Sequence, residues 1–346
     1  MVAWIVVGPY GASFGPIQGV VSGAFIAAAA MHFGASYHLA YGDGVPALRK
    51  HPVGLVAAPL VIVAASVAVV VGAAAHAGWA EPLLKAMLTT VFTFTGWHYI
   101  KQAFGVGMLA ARSGGLKPTR HEALFLRYAL YPIWLYDVLE VWERGRNATY
   151  QRYDVVVGVV PTAAEPWIRG IGFLTLALAL GLMVRIGLRS RTVPPLGLWG
   201  AYLTAGLWFL LPPTYVSAVV VLAGIHAVQY LTCAHRAEVD LAVERREQHL
   251  LHRWLCVFGG AAAGGLLLTN WLPDQATAAF ATPGLPGAIP ALVFIGFNLH
   301  HYAVDAVIWR SGGDHVVRMS RGPQPAPLEA EVVAAPVPAA PTPALA

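Results

Sequence analysis

The sequence predicts an all-α protein, a polytopic transmembrane helix bundle of about nine spans with its N-terminus outside and its C-terminus in the cytoplasm. Three observations lead to this fold class. Hydrophobic residues make up 57% of the 346 residues and charged residues only 11%, whereas a soluble domain carries roughly a quarter of charged residues. Apolar runs recur at a length that crosses a bilayer, and Lys and Arg collect at alternate ends of those runs.

Each predicted span is an apolar run of about 20 residues that ends at charged residues or at a Pro/Gly cluster. The first run ends before "YGD", the second before "HAGWAEP" and the third near Arg112. The corner "LPPTY" alone separates the sixth from the seventh, and "LPDQATAAFATPGLPGA" follows the eighth. In chain order the runs cover 18–41, 53–75, 86–110, 124–142, 167–187, 195–212, 214–234, 254–271 and 288–309.

The basic residues set the predicted orientation. Arg49 and Lys50 follow the first run, Arg189 and Arg191 the fifth and Arg318 the ninth, whereas the segments after the second, sixth and eighth runs contain no Lys or Arg. This alternation satisfies the positive-inside rule when the N-terminus is outside. The basic residues form no stripe and no nucleic-acid motif, so the net charge of +5 does not indicate a nucleic-acid partner.

The chain is predicted to form a single transmembrane domain over 1–321, followed by a disordered, Pro/Ala-rich cytoplasmic tail over 322–346. Cys233 and Cys256 have no C-x-x-C spacing. The start "MVAWIVVGPYG" lacks the basic region and long apolar core of a cleavable signal peptide. We therefore expect the first span to direct the chain into a bacterial-type inner (plasma) membrane.

Four of the predicted spans carry a histidine at a similar depth. Spans one, three, seven and nine run from outside to inside, and their inner ends lie about eight to twelve residues beyond His32, His98, His226 and His301, with His300 beside the last. At 1.5 Å per residue these side chains fall within roughly 6 Å of one another in depth, inside the hydrocarbon.

One buried histidine is more often a packing contact than a ligand, but four at one depth favour a shared partner. Ionisable groups in a bilayer usually face the bundle interior, where they pair or mark function. The commonest partner of converging neutral imidazoles is a metal ion, with iron the leading candidate and zinc, copper or a haem iron as alternatives. The sequence therefore predicts a metal site at His32, His98, His226 and either His300 or His301.

Polar residues one turn from these histidines are predicted to complete the site. Asp305 follows His301, Gln229 and Tyr230 follow His226 in "IHAVQYL", and Lys101 and Gln102 follow His98 in "WHYIKQAFG", spacings that share a helix face. The candidates for the chemistry are Asp305, Tyr230 and Lys101, and those for cofactor contacts are Gln102, Gln229 and Tyr302. Ordinary interhelical hydrogen bonding is the alternative for each of them.

Three function classes fit this pattern. In the first, iron held by the histidines activates dioxygen against a lipid-soluble substrate that enters from the bilayer. In the second, two histidines are axial ligands of a b-type haem and the protein transfers electrons. In the third, the histidines, Lys101 and Asp305 form a proton or ion path through a transporter. The expected partners are a hydrophobic small molecule or lipid, the membrane, and either another membrane protein or a second copy of the chain.

The histidine pattern resembles that of bacterial membrane β-carotene dioxygenases, with one mid-membrane histidine on the first span, another on the third and more near the end. The stretches that carry it are "MHFGASYHLAYGD", "IHAVQYL" and "NLHHY". The resemblance implies a four-histidine iron site and oxidative cleavage of a hydrophobic substrate. The later histidines are split between two spans here, whereas that family has them one turn apart on one helix. The histidine boxes of desaturases, H-x-x-H-H and H-x-x-x-H, are missing.

Overall fold

A computed structural model describes residues 16–144, 149–150, 153–154, 162–210, 216–247, 249–279, 285, 287–310 and 313–321, and over these residues the protein is almost entirely helical. The two exceptions are the strands β1 (Thr149–Tyr150) and β2 (Tyr153–Asp154), which pair antiparallel. The predicted tail, 322–346, lies outside the described residues. The all-α prediction is confirmed.

The helices follow one another through short connections. They are α1 (Pro16–Tyr41), α2 (Val45–Lys50), α3 (Ala58–Ala74, preceded by a π turn at Val53–Ala57), α4 (Ala80–Ser113), α5 (Arg120–Tyr128), α6 (Tyr131–Arg144), α7 (Glu165–Ser190, preceded by a 3-10 turn at Thr162–Ala164), α8 (Leu196–Leu210), α9 (Val216–Glu244), α10 (Leu250–Trp254), α11 (Gly260–Leu266), α12 (Leu272–Ala279), α13 (Ala288–Ile308) and α14 (Asp314–Arg321).

Eight of the nine predicted runs fall on a single helical segment, whereas the fourth, 124–142, falls on α5 and α6. The break follows from Pro132, which lacks an amide hydrogen and disfavours helical backbone at the residue before it. At the start of α5, Thr119 and Glu122 form a reciprocal capping box that satisfies two backbone amides. The fourth run is therefore a helix pair and not one straight span.

The eighth run is part of a longer helical rod than predicted. Helices α10, α11 and α12 join end to end through π turns at Leu255–Gly259 and Leu267–Trp271. Helix α1 packs along α11, and glycines permit a very close approach. A Cβ atom on Gly34 would collide with the backbone of Ala261, and one on Gly265 with the backbone of Ala30.

Three helical segments are long and apolar enough to cross a membrane, namely Val53–Ala74, Glu165–Ser190 and Ala288–Ile308. The first two leave much of their apolar surface uncovered by protein: Leu60 and Val61 are 63% and 67% exposed, and Leu174 is 58% exposed. Exposed apolar area on this scale is typical of a surface that meets lipid. The full count of nine spans stays a prediction.

The helices that carry the predicted ligands meet in the centre of the protein. Helix α1 packs against α9 and α13, and α4 packs against α9 and α13 as well. One apolar core joins α4 to α5, α6, α7 and α8, and a second lies between α3, α4 and α13. These two cores fix α4 between its neighbours and so determine which of its faces turns toward α1, α9 and α13.

Candidate metal centre

Four histidines from four helices converge on one point. His32 lies on α1, His98 on α4, His226 on α9 and His301 on α13, and one ring nitrogen from each lies within 4.8 Å of those of the other three. The Nε2 atoms of His32 and His301 are 2.9 Å apart, and those of His98 and His226 are 3.2 Å apart. All four residues are buried.

These separations fit a single bound ion. An imidazole nitrogen binds zinc at about 2.0–2.1 Å, so two nitrogens on one such ion are about 3 to 4 Å apart. The two short Nε2 pairs match neighbouring positions in such a coordination sphere. The widest separation, up to 4.8 Å, closes with a small rotation of one ring. The four histidines are thus a group that could hold a metal ion.

Asp305 faces the same point. Its Oδ2 atom lies 3.6 Å from Nε2 of His301 and 3.7 Å from Nε2 of His98, and the residue is buried. A carboxylate that only oriented a ligand would instead accept a hydrogen bond from the opposite ring nitrogen. Nδ1 of His32 and Nδ1 of His301 have no hydrogen-bond partner, and neither has Oδ1 of Asp305. Asp305 is therefore placed to serve as a further ligand or to balance the charge of an ion.

His300 lies outside this cluster, although the sequence left it open as an alternative to His301. Its Nε2 atom is 2.9 Å from the hydroxyl of Tyr41, which donates a hydrogen bond to the carbonyl oxygen of Leu55. Its ring also lies against Tyr37, with 5.2 Å between the ring centroids. Consecutive residues on a helix point about 100° apart, so only one of the two histidines can face the centre of the bundle.

The two glutamines contact the helices around the cluster and not its centre. Gln102 donates a hydrogen bond from Nε2 to the backbone carbonyl of His226, at 2.8 Å, which ties α4 to α9 at the level of the ligands. Gln229 reaches Thr204 on α8 at 3.5 Å. Both contacts are interhelical hydrogen bonds, the alternative that the sequence left open for these residues.

Aromatic rings surround the imidazoles. Tyr230 meets His32 edge to face with 4.1 Å between centroids, and Tyr302 stacks on His98 at 4.8 Å. The Tyr302 hydroxyl lies 2.7 Å from Oγ1 of Thr95, whereas the Tyr230 hydroxyl is buried without a hydrogen-bond partner. These rings shield the cluster from water and restrict the rotation of the ligands.

Lys101 is not brought to the cluster. Its side chain is exposed, and its Nζ atom lies over the ring of Trp97, 5.5 Å from the centroid. The ion pairs of Asp305 found among the described residues are with His98 and His301. The predicted role of Lys101 as counter-ion to Asp305 therefore has no support in the geometry, because the side chain leaves α4 on the flank that faces α5 and α6.

Several residues around the site are not among those predicted from the sequence. Ser36 is fully buried and donates a hydrogen bond to the backbone carbonyl of His32. Tyr99 stacks on His226 with 4.0 Å between centroids, and Phe33 packs at 4.7 Å from His301. The spacing of four between His32 and Ser36 is a signal that a search along one helix face could have used.

Comparison with family models, with curated proteins and with solved structures gives no match. The assignment of this site therefore rests on its own geometry.

Proposed function

We propose that the protein is a membrane-embedded, metal-dependent oxidoreductase, an iron oxygenase without haem, that acts on a lipid-soluble substrate. One observation carries the proposal: four buried imidazoles from four helices converge with ring nitrogens within 4.8 Å. The proposal includes the bundle of about nine spans in a bacterial-type inner membrane, which is supported by the exposed apolar faces of Val53–Ala74 and Glu165–Ser190.

The donor set supports a transition metal. Imidazole nitrogens suit iron, zinc and copper, whereas magnesium and calcium prefer oxygen ligands. His32, His98, His226 and His301 would hold the ion, and Asp305 would add one negative charge at its edge. Bound iron supplies the capacity to activate dioxygen, which is the chemistry that an apolar substrate requires for oxidation.

The residues around the histidines fit a reaction that takes place away from water. The rings of Phe33, Tyr99, Tyr230 and Tyr302 pack around the imidazoles, so they exclude water and offer apolar contact area to a hydrophobic substrate. The Tyr230 hydroxyl, which has no partner, is available to donate a hydrogen bond to an oxygen atom of a bound molecule. Asp305 holds its charge next to the ligand nitrogens.

The geometry is less favourable to a b-type haem. A porphyrin occupies the whole plane between two axial histidines. Here any two of the four imidazoles have the other two within 4.8 Å, together with the Asp305 carboxylate, in the space that the macrocycle would need. A proton path loses one of its expected members, because Lys101 points away from the cluster.

Elemental analysis of detergent-purified protein, together with a visible absorption spectrum, tests the proposal. We expect close to one iron per chain and no Soret band. A Soret band would replace the proposal with electron transfer through haem, and protein that binds no metal after iron supplementation would leave transport as the better explanation. Oxygen consumption with hydrophobic substrates in nanodiscs then tests the oxygenase chemistry itself.

A further inference from the structure

Two cations lie next to each other on the flank of the bundle opposite to the metal site. Lys101 leaves α4 and Arg127 leaves α5, and each is the other's charged neighbour across the contact between these helices. The Lys101 Nζ atom sits over the Trp97 ring at 5.5 Å, and the Arg127 guanidinium lies 5.9 Å from the centroid of Tyr128. Like charges at close range repel, so the pair is stabilised only by an anion between them.

No acidic side chain in the described part of the chain pairs with either cation, and Nε of Arg127 is buried without a hydrogen-bond partner. The acid nearest to Arg127 along α5 is Glu122, but both of its carboxylate oxygens accept hydrogen bonds from Arg189, at 2.6 and 2.7 Å. The protein thus supplies two positive charges here and no internal counter-charge.

The pair lies at the depth where phospholipid head groups can be reached. Arg120 begins α5 at the end that the distribution of Lys and Arg assigns to the cytoplasm, and Arg127 lies about 10 Å further along the helix at 1.5 Å per residue. Long basic side chains at such a depth extend toward the head-group layer. Lys101 and Tyr128 are exposed on this surface.

Aromatic side chains form a fixed platform beneath the cations. Trp97 packs against Tyr131 and Trp134 of α6, each with 5.0 Å between ring centroids. The indole nitrogen of Trp134 donates a hydrogen bond to the carbonyl of Thr93 at 3.0 Å, which joins α6 to α4. Cation–π contact with such rings holds the ammonium and guanidinium groups at the apolar surface and limits their motion.

We propose that Lys101 and Arg127 bind the phosphate of an anionic phospholipid from the cytoplasmic leaflet. The phosphate lies between Nζ of Lys101 and the guanidinium of Arg127, which supplies the bidentate geometry that phosphate oxygens prefer. The acyl chains run outward along the exposed apolar residues of α5, Leu124 and Phe125. Basic pockets between transmembrane helices on the cytoplasmic side are typical of lipid head-group sites. This site is independent of the proposed oxidoreductase function.

Native mass spectrometry of the full chain, released from nanodiscs of phosphatidylglycerol and phosphatidylcholine, tests the proposal. We expect the protein to retain phosphatidylglycerol selectively. Each cation contributes about fivefold to retention, so Lys101→Gln together with Arg127→Gln lowers it about 25-fold. Arg120→Gln, which removes the same charge from the exposed first residue of α5, is the matched control and leaves retention unchanged. The charge-keeping pair Lys101→Arg and Arg127→Lys retains at least half of the binding.

Two outcomes overturn the proposal. Equal retention of phosphatidylglycerol by the protein and by the double glutamine variant shows that the cations bind no lipid. Displacement of the lipid by millimolar inorganic phosphate shows that the site takes a free anion. The iron content of Arg127→Gln is measured in parallel, because a folded variant with unchanged metal separates the loss of this site from any failure at the histidine cluster.

Discussion

The Nε2 atoms of His32 and His301 lie 2.9 Å apart, although 269 positions separate the two residues in the chain. Two imidazoles this close share either one proton or one metal ion. The neighbouring pair, His98 and His226, shows the same relationship at 3.2 Å. Two such pairs whose ring nitrogens all lie within 4.8 Å are more economically explained by one ion than by two separate imidazole hydrogen bonds.

Replacement of His301 by Ala should remove the bound metal. His301 contributes a buried nitrogen to the cluster, so its loss weakens metal affinity by at least the roughly tenfold to hundredfold that outer-sphere contacts are worth. The measurement is metal per chain, by plasma mass spectrometry, after gel filtration in detergent.

The adjacent residue provides the control. His300 forms its hydrogen bond with Tyr41, outside the cluster, so His300→Ala should keep the metal content of the unchanged protein. If both alanine variants lose metal to the same extent, the effect comes from a disturbed α13 and not from the loss of a ligand.

The Asp305→Asn variant should retain metal about tenfold to a hundredfold less strongly. The amide keeps the shape of the side chain but removes the negative charge that lies 3.6 Å from Nε2 of His301. Competition with a coloured chelator measures the affinity. Asp305→Glu keeps the charge and should fall between the two; an affinity of the Asn variant that equals that of the unchanged protein would return Asp305 to a packing role.

The sequence predicted the positions of most helices because the length of an apolar run is sufficient to locate a helix that meets lipid. The same ruler of depth brought His32, His98 and His226 together. Depth alone did not distinguish His300 from His301, since rotation about the helix axis depends on tertiary packing. It also placed Lys101 next to Asp305, whereas α4 turns that side chain toward α5 and α6.

Other features were missed because they depend on local backbone geometry. The break between α5 and α6 required weighing Pro132 within an otherwise apolar run. The two π turns between α10 and α12 leave no trace in apolar periodicity. Helix α9 continues to Glu244, ten residues beyond the predicted end at 234, because its polar extension is stabilised by contacts with α14.

Gly265→Val should destabilise the protein and lower its metal content. A Cβ atom at Gly265 collides with the backbone of Ala30, which cannot give way as a flexible side chain can, so α1 must shift and carry His32 with it. Overpacking of this kind costs about 1–3 kcal/mol. Gly264→Val is the matched control, because nothing lies within 4 Å of a Cβ atom there. Thermal unfolding in detergent gives the stability, and equal midpoints for the two variants contradict the close approach of α1 and α11.

The ion pair between Glu122 and Arg189 should contribute stability that depends on pH. The hydrogen bonds from Arg189 are the main reason why the pKa of Glu122 falls from 4.5 to about 2, with those from Thr119 adding to the effect. Because the pKa is depressed in the folded protein, the contribution is present above pH 4.5 and is lost as the pH falls toward 2. Arg189 is 42% exposed, so solvent screening limits it to less than about 1 kcal/mol. The difference in unfolding midpoint between the unchanged protein and Glu122→Gln should therefore shrink across that interval, and it should be absent when Arg189→Ala is the background. A difference that stays constant down to pH 2 would mean that Glu122 acts through its capping box and not through the charge of Arg189.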